Sequence, residues 1–224
     1  MRRWLPASLI AGALVFSVAV YSRLPEDVPV HWDISGEPNR FGSRLEGAFL
    51  VPLIMLVIYV LMLWYPSRDP RAANIEKFRA AYDSVVAATV ALLAGLHVMA
   101  LGSALGWRIN MTTVVLAGAG VMFVLLGNLM PLARSNFIFG IRTPWTLSSE
   151  QVWTRSHRVA GYAMVAAGLI TLVGAFIGGT LGPSIALTSL VLAGIIPIVY
   201  SYLLWNRERR GPTHPTHPTH PTHE

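Results

Sequence analysis

The sequence predicts an all-α polytopic membrane protein, a bundle of six transmembrane helices with both termini in the cytoplasm. The composition is the first observation: 54% of the residues are hydrophobic and 12% are charged, whereas soluble domains carry about 25% charged residues. The second observation is that six apolar segments are long enough to cross a hydrocarbon layer about 30 Å thick as helices. They cover residues 4–21, 47–66, 85–105, 112–132, 159–178 and 183–205.

The basic residues predict the orientation of this bundle. With the N-terminus inside, all but four of the 17 Lys and Arg residues fall on the cytoplasmic side, as the positive-inside rule requires. The outer four are Arg23, Arg40, Arg44 and Arg108. The same asymmetry explains the net charge of +6 without nucleic-acid binding, because the basic residues form no long run. We therefore expect the lipid bilayer as a direct partner, and no nucleic acid.

The chain divides into membrane segments and polar connections. The first helix is expected to be an uncleaved anchor, because its apolar run is longer than a signal-peptide core and ends in bulky Tyr21. The chain has no cysteine, which excludes disulfides and thiolate chemistry. The predicted units are a first transmembrane helix (1–22), an extracytoplasmic loop subdomain (23–46), helices two to four (47–132), a cytoplasmic interfacial hook (133–158), a helical pair (159–206) and a disordered Pro-Thr-His tail (207–224).

The outer loop, residues 23–46, is expected to fold over the outer mouth of the bundle. Its apolar residues alternate with polar ones from position 28 to 35, which indicates an extended arm, and a turn cluster follows at 35–39. His31 and Asp33 then point the same way, with Glu37 across the turn, which resembles half of a metal site. We favour hydrogen-bonded loop structure over a metal and predict no cofactor. The candidate partner-binding residues are His31, Trp32, Asp33, Glu37 and Arg44.

The hook, residues 133–158, combines extended chain with a helix start. Thr143 precedes Pro144, which disfavours helix, and Ser148 with Gln151 matches a capping box. The helix that begins there is expected to continue into the fifth span. Glu150 and His157 share one face of this helix but lie about 10 Å apart along its axis, so they cannot chelate one ion together, and an HExxH mechanism is unsupported.

Two interpretations of the hook stay open. Arg142 could pair with Glu150 and close a hook that tryptophans anchor in the interface, or it could bind a phosphate or a partner's carboxylate. Asn128, near the inner end of the fourth span, could bond the hook's backbone. The candidate partner-binding residues are Asn128, Arg142, Thr143, Pro144, Trp145, Glu150, Trp153, His157 and Arg158.

His97 is the deepest ionisable residue within the predicted spans. Such a residue is either functional, as a proton relay or ligand contact, or a neutral imidazole that bonds a hydroxyl or carbonyl of a neighbouring helix. The absence of an acidic partner at its depth favours the second interpretation. A small transporter with helices broken at Pro52, Gly194 and Pro197 around His97 is the alternative function, although no inverted repeat is evident.

Other signals in the sequence are weaker. Gly174 with Gly178, and Gly118 with Gly120, indicate close helix packing. Since the chain shows neither a nucleophile–base pair nor a dense ligand set, it is not expected to be an enzyme. The tail repeats Pro-Thr-His four times, which in polyproline II geometry spaces successive histidines about 9 Å apart. Disorder is the first interpretation of this tail and weak metal binding is the second; the histidines are His214, His217, His220 and His223.

Two long motifs carry a resemblance to a known family. The first is Leu-Pro-x-x-Val-Pro-x-His-Trp at 24–32 with Gly-Glu-Pro at 36–38 and Gly-Ser-Arg at 42–44. The second is Asn-x-Met-Pro at 128–131 followed by Gly-Ile-Arg-Thr-Pro-Trp-Thr-Leu-Ser at 140–148, then Trp153 and His157-Arg158. Together they resemble the N-terminal and C-terminal signatures of SdpI-like membrane proteins.

The resemblance implies a bacterial inner-membrane immunity and signalling protein. The namesake of that family protects a cell from its own secreted, membrane-damaging peptide and holds a soluble transcriptional repressor at the membrane. By that resemblance, the outer loop around residues 31–44 is expected to face the toxin. The hook around residues 142–158 is expected to face the cytoplasmic regulator.

A tag inserted beside Trp145 tests the orientation. We expect it to stay unlabelled by a membrane-impermeant reagent in intact cells, because the positive-inside rule places the hook in the cytoplasm. The same tag should be labelled once the cells are permeabilised, which controls for its accessibility. Labelling in intact cells would reverse the faces of the bundle and the roles of the two polar connections.

Overall fold

Six long helices form the body of the protein, as the sequence predicts. The computed structural model describes residues 4–210, and these six helices are long and apolar enough to cross a membrane. They are α1 (Trp4–Val20), α2 (Arg44–Trp64), α4 (Arg79–Ala104), α5 (Met111–Leu129), α7 (Glu150–Gly174) and α8 (Leu181–Arg210), with the short helices α3 (Ala72–Lys77) and α6 (Pro144–Ser148) between them. Helix α8 continues into the predicted tail, whose four histidines lie outside the described residues.

The outer loop forms a β-hairpin. Strands β1 (Asp27–Trp32) and β2 (Pro38–Ser43) pair antiparallel, so the extended arm has a second strand that the sequence analysis did not predict. Proline, asparagine and glycine are depleted in strands, and all three occur in β2. The antiparallel pairing with β1 therefore stabilises a strand that its residues alone disfavour. Ser43 then caps α2 by accepting a hydrogen bond from the Glu46 amide at 3.2 Å, and Val28 is buried against α2.

The irregular chain collects at two opposite ends of the bundle. At the hairpin end, Thr112 donates to the backbone carbonyl of Ile34 at 3.2 Å, which ties the start of α5 to the hairpin. At the hook end, Arg71 donates to Ser135, and the Trp145 indole donates to Ser201 on α8 at 2.7 Å. The two candidate sites of the sequence analysis therefore lie at opposite ends of the protein.

Glycines bring α5 and α7 into close antiparallel contact. A Cβ added to Gly168 would lie 2.6 Å from the carbonyl oxygen of Gly120, and one added to Gly161 would lie 2.7 Å from that of Gly127. The predicted pair Gly174 and Gly178 behaves differently. A Cβ added to Gly174 would meet the backbone of Gly182 in α8. Gly178 lies beyond the end of α7, and a Cβ added there would meet nothing within 4 Å.

The helices that the transporter alternative expected to be broken are continuous, which corrects one element of that alternative. Pro52 lies inside α2, and Pro197 and Gly194 lie inside α8, without a break in either helix. Proline is tolerated in membrane helices because neighbouring groups satisfy the backbone carbonyl that it frees. The half-helices that would expose a transport site are therefore not formed at these three positions.

Gly168→Ala tests the α5–α7 contact. The added methyl group cannot fit against the backbone of α5, so we expect the free energy of unfolding to fall by roughly 1–3 kcal/mol. The matched control is Gly194→Ala in α8, where a Cβ meets nothing within 4 Å; there the helix preference for alanine should leave stability unchanged or raise it by up to about 1 kcal/mol. Thermal unfolding of both variants in lipid nanodiscs measures the difference. Equal stabilities would contradict close packing at Gly168.

Candidate functional site

Hydrogen bonds within the hairpin use two of the three side chains that were considered as metal ligands, those of Asp33 and His31. The Asp33 carboxylate accepts from the Ser35 hydroxyl at 2.6 Å, the Ser35 amide at 2.9 Å and the Glu37 amide at 3.1 Å. These bonds lower the pKa of Asp33, led by the one from the Ser35 side chain. His31 Nδ1 lies 2.6 Å from the Asn39 side-chain oxygen. Within residues 4–210, no group of three or more His, Asp or Glu side chains could hold a metal ion.

Trp32 lines two cavities between the hairpin and the helices. The large cavity has a volume of about 410 Å³ and also contacts His31, Asp33, Met111 and Leu187. The small cavity has a volume of about 240 Å³ and also contacts Arg40, Glu46, Leu93 and His97. Three of the residues predicted for the outer site, His31, Trp32 and Asp33, therefore line a cavity.

The other two predicted outer residues, Glu37 and Arg44, line neither of these cavities. The Arg44 guanidinium lies 5.9 Å from the ring centroid of Tyr21, at the end of α1. Two residues outside the predicted set, Arg40 and Glu46, form an ion pair of 2.7 Å and line the small cavity. The Ser-x-x-Glu pattern at 43–46 is typical of a helix start, a signal that the sequence analysis did not use, and it gives no sign that Glu46 pairs with the hairpin.

His97 is a buried residue in the wall of the small cavity. Only 1% of its surface is exposed, and its Nε2 lies 2.8 Å from the Ser17 hydroxyl on α1. Ser17 in turn donates to the Ala48 carbonyl on α2 at 2.6 Å. The hydroxyl of a neighbouring helix is the kind of partner that the second interpretation of His97 expected, whereas Ser17 itself was not predicted.

The hook is built around a second buried histidine. His157 Nε2 accepts from the Ile141 amide at 3.0 Å, and its Nδ1 lies 2.8 Å from the Trp153 carbonyl. A carbonyl only accepts, so Nδ1 carries the proton and donates. The Trp153 ring stacks on the imidazole at 4.0 Å between centroids, and its indole donates to the Ala133 carbonyl at 2.9 Å. His157 and Trp153 are fully buried, so these two predicted contact residues hold the hook's shape.

Buried polar side chains fix the remaining backbone of the hook. The Asn136 side-chain oxygen accepts from the amides of Ile138 and Phe139. Asp69, in the connection before α3, accepts from the Phe137 amide at 2.8 Å and from the Arg71 amide at 2.7 Å. The hook is therefore a loop whose course is determined by side chains rather than by a helix or a sheet.

Capping at the start of the hook helices differs from the prediction by one residue. Ser149, not Ser148, caps α7 by accepting from the Val152 amide at 3.2 Å. The capping box lies earlier, where Thr143 and Thr146 bond each other's backbone amides at the start of α6. Helix α7 does continue from Glu150 to Gly174, so the predicted continuity with the fifth span is confirmed.

Two contacts that the sequence analysis considered possible for the hook are not formed. Arg142 does not pair with Glu150, and its guanidinium instead donates to the Phe137 carbonyl at 2.7 Å. Asn128 does not bond the hook, because its amide donates to Val124 within α5 at 2.7 Å. In both cases a backbone carbonyl close in sequence is nearer than the predicted partner.

The residues that were predicted to bind a partner at the hook differ in exposure. Arg142, Pro144, Glu150 and Arg158 are exposed. Arg142 also lines a cavity of about 440 Å³ with Arg68, Tyr65 and Ile138. Trp145 packs instead against α8, at ring-centroid distances of 5.3 Å from Tyr202 and 6.2 Å from Trp205.

These features define a class of protein: a six-helix membrane protein with a cavity-forming hairpin at one end and a fixed polar loop at the other. Two family models match the chain. A domain of unknown function (DUF1648) covers residues 9–56, and the SdpI/YfhL protein family covers residues 133–201. The first segment contains the hairpin and the second contains the hook, so each candidate site lies in a matched segment.

Relatives of known sequence agree with this assignment. The immunity protein SdpI of Bacillus subtilis is 30% identical over 197 residues, which are 87% of this chain and 92% of that protein. An uncharacterized protein of Archaeoglobus fulgidus is 40% identical over 79 residues, 32% of this chain and 43% of that protein. The uncharacterized membrane protein YbgB of Bacillus subtilis is 29% identical over 48 residues, 21% of this chain and 53% of that protein. No solved structure matches the chain.

The chain belongs to the SdpI family. With its six membrane-spanning helices, it is a multi-pass protein of the bacterial inner membrane.

Gly140→Ala tests the contact that shapes the hook. Gly140 has a φ of +104°, and a Cβ there would lie 2.2 Å from His157 Nε2. The substitution should strain the backbone and break the bond from the Ile141 amide, which we expect to cost roughly 2–4 kcal/mol in total. The control is Gly106→Ala, with a φ of +88° but open space around the Cβ, which isolates the backbone strain.

Hydrogen exchange of the amides of residues 133–149 reads the effect directly. These amides should exchange faster in Gly140→Ala than in the wild type. In Gly106→Ala they should exchange at the wild-type rate. Equal exchange in all three proteins would show that His157 does not hold this loop.

Proposed function

We propose that this protein is a non-enzymatic immunity factor that protects its cell from a secreted, membrane-active peptide toxin. One observation carries the proposal: the 30% identity to the immunity protein SdpI extends over 87% of the chain, including both candidate sites. In this proposal the hairpin end faces outward and binds the toxin. The hook end faces the cytoplasm and binds a soluble transcriptional repressor when the toxin is bound.

The two cavities beside Trp32 support toxin binding at the hairpin end. Their walls are mainly apolar, with residues such as Val115, Met111 and Leu187, and a peptide that acts on membranes carries apolar side chains to the bilayer surface. Aromatic and apolar anchors that fill pockets dominate most interfaces. In this proposal Trp32 is the central contact, His31 and Asp33 flank it in the wall of the large cavity, and Glu37 and Arg44 contact the toxin outside the two cavities.

The fixed course of the hook supports partner binding at the other end. A loop that is already ordered loses little conformational entropy on binding, and Asn136, Trp153 and His157 provide that order. The exposed cations Arg142 and Arg158 remain available for a partner's carboxylates. Trp145 is less suited to this role because it packs on α8, so its loss would disturb the bundle.

Trp32→Ala should remove protection from the toxin. Cells that rely on this protein should become at least about tenfold more sensitive to the peptide, because a central aromatic anchor typically contributes roughly 2 kcal/mol or more to binding. The control is Phe41→Ala on the same hairpin, whose side chain is exposed and lines neither cavity. The growth-inhibitory concentration of the peptide is measured at equal protein levels in the membrane. Full protection by Trp32→Ala would contradict a toxin site at the hairpin.

The same strains can separate the two ends of the protein. Arg142→Gln should keep protection but weaken retention of the soluble repressor in the membrane fraction after toxin treatment. The matched control is Arg155→Gln, an exposed arginine of the same end that does not line the Arg142 cavity. Loss of protection in Arg142→Gln would contradict the division of roles between the hairpin and the hook.

A further inference from the structure

The Ser17 hydroxyl determines which nitrogen of His97 carries the proton. Its oxygen lies 2.6 Å from the Ala48 carbonyl, and because a carbonyl only accepts, the single hydroxyl hydrogen is used there. His97 Nε2 lies 2.8 Å from the same oxygen, so Nε2 must carry a hydrogen and donate it. In a neutral imidazole the other nitrogen, Nδ1, is then an unprotonated acceptor.

The surroundings of His97 keep it neutral. The carboxylate that shares its cavity, Glu46, is paired with Arg40 at 2.7 Å. A buried cation without a partner is strongly disfavoured. His97, a lining residue of the small cavity, therefore carries one unpaired hydrogen-bond acceptor and no free donor.

His97 Nδ1 has no hydrogen-bond partner within the protein. Only three buried side-chain nitrogen or oxygen atoms share this property within residues 4–210: Arg44 Nε, His97 Nδ1 and Ser156 Oγ. His97 is the one residue of the three that lines either cavity beside Trp32. Leaving such an atom unsatisfied destabilises a protein, so a group that donates to Nδ1 would remove an existing defect.

The size and walls of the small cavity restrict what can enter. Pockets for whole drug-sized ligands have volumes of about 300–1,000 Å³, whereas this cavity has about 240 Å³ and suits one side-chain-sized group. Its walls are apolar, with Leu50, Val51, Leu93, Leu96, Ala100 and Val115 among them. Indole and phenol groups combine an apolar body with one donor, which matches mainly apolar walls and the one unpaired ring nitrogen of His97.

Two charged side chains at the hairpin end line this cavity. The Arg40 and Glu46 side chains that pair there are 60% and 33% exposed. Ion pairs with such exposure contribute little to stability, so a ligand can displace this pair at small cost. Trp32, the central residue of the proposed toxin surface, also lines this cavity.

We propose that the small cavity receives one indole or phenol side chain of the peptide toxin, whose N–H or O–H group donates to His97 Nδ1. The source of the aromatic group rests on the proposed function. The preference for a donor rests only on Ser17, His97 and the cavity. An aromatic group without a donor fits the same walls but leaves Nδ1 unsatisfied.

Indole and N-methylindole test this preference, because they differ in the one N–H donor. The full-length protein, with isotope-labelled histidine, is titrated with each compound in lipid nanodiscs, and binding is followed by nitrogen NMR. Indole should bind and shift the Nδ1 resonance of His97. N-methylindole should bind roughly fivefold more weakly and leave that resonance in place.

His97→Gln is the matched variant. The glutamine amide can replace Nε2 as the donor to Ser17 but supplies no acceptor at the position of Nδ1, so the fold should be kept and the difference between the two compounds lost. The missing resonance of this variant also assigns the His97 signal. Equal binding of the two compounds by the wild type, or a Nδ1 resonance that indole leaves unchanged, would overturn the proposal even if the variant failed to fold.

The toxin assay distinguishes failure of this inference from failure of the proposed function. A His97→Gln strain that keeps full protection would overturn the assignment of the aromatic group to the toxin. Cells without the protein that are no more sensitive to the peptide than wild-type cells would overturn the immunity function instead. Preferential binding of indole, together with sensitised His97→Gln cells, is the result expected.

Discussion

The rest of the structure depends on one constraint: in lipid, the chain must satisfy its own polar groups. Six long helices meet this constraint for the backbone, and side chains inside the bundle meet it in pairs, such as Ser17 with His97 and Thr171 with Ser189. Chain that follows neither helix nor sheet is confined to the ends, where other side chains or water can bond it. Both candidate sites lie at these ends for that reason.

The two buried histidines show how the same side chain serves different purposes. His157 uses both ring nitrogens, one for the Ile141 amide and one for the Trp153 carbonyl, so its role is to hold the hook. His97 uses only Nε2 and lines a cavity, so it has an acceptor left for a ligand. Both histidines are buried, so burial does not distinguish these roles. The number of ring nitrogens that have a hydrogen-bond partner does distinguish them.

Several helices contribute side chains to both ends of the protein, among them α4 and α2. Helix α4 supplies His97 and Leu93 to the small cavity, and Phe78, at its start, packs in the core under the hook with Trp153. Helix α2 supplies Glu46 to the cavity, and Tyr59 packs against the core at the other end. A protein that responds at one face to a ligand at the other needs elements that reach both, and these helices do so without a break.

The sequence by itself determined the six spans, the continuity of the helix that begins at Glu150 with the fifth span, and the membership of the SdpI family, because hydrophobicity and motifs are properties of neighbouring residues. It did not determine that β2 would pair with β1, that Arg142 would bond Phe137 rather than Glu150, or that two cavities would flank Trp32. Many hydroxyls were available to His97, and the chosen one lies 80 residues away. Only the tertiary structure decides such contacts, since they depend on which helix faces pack together and on how closely their backbones approach.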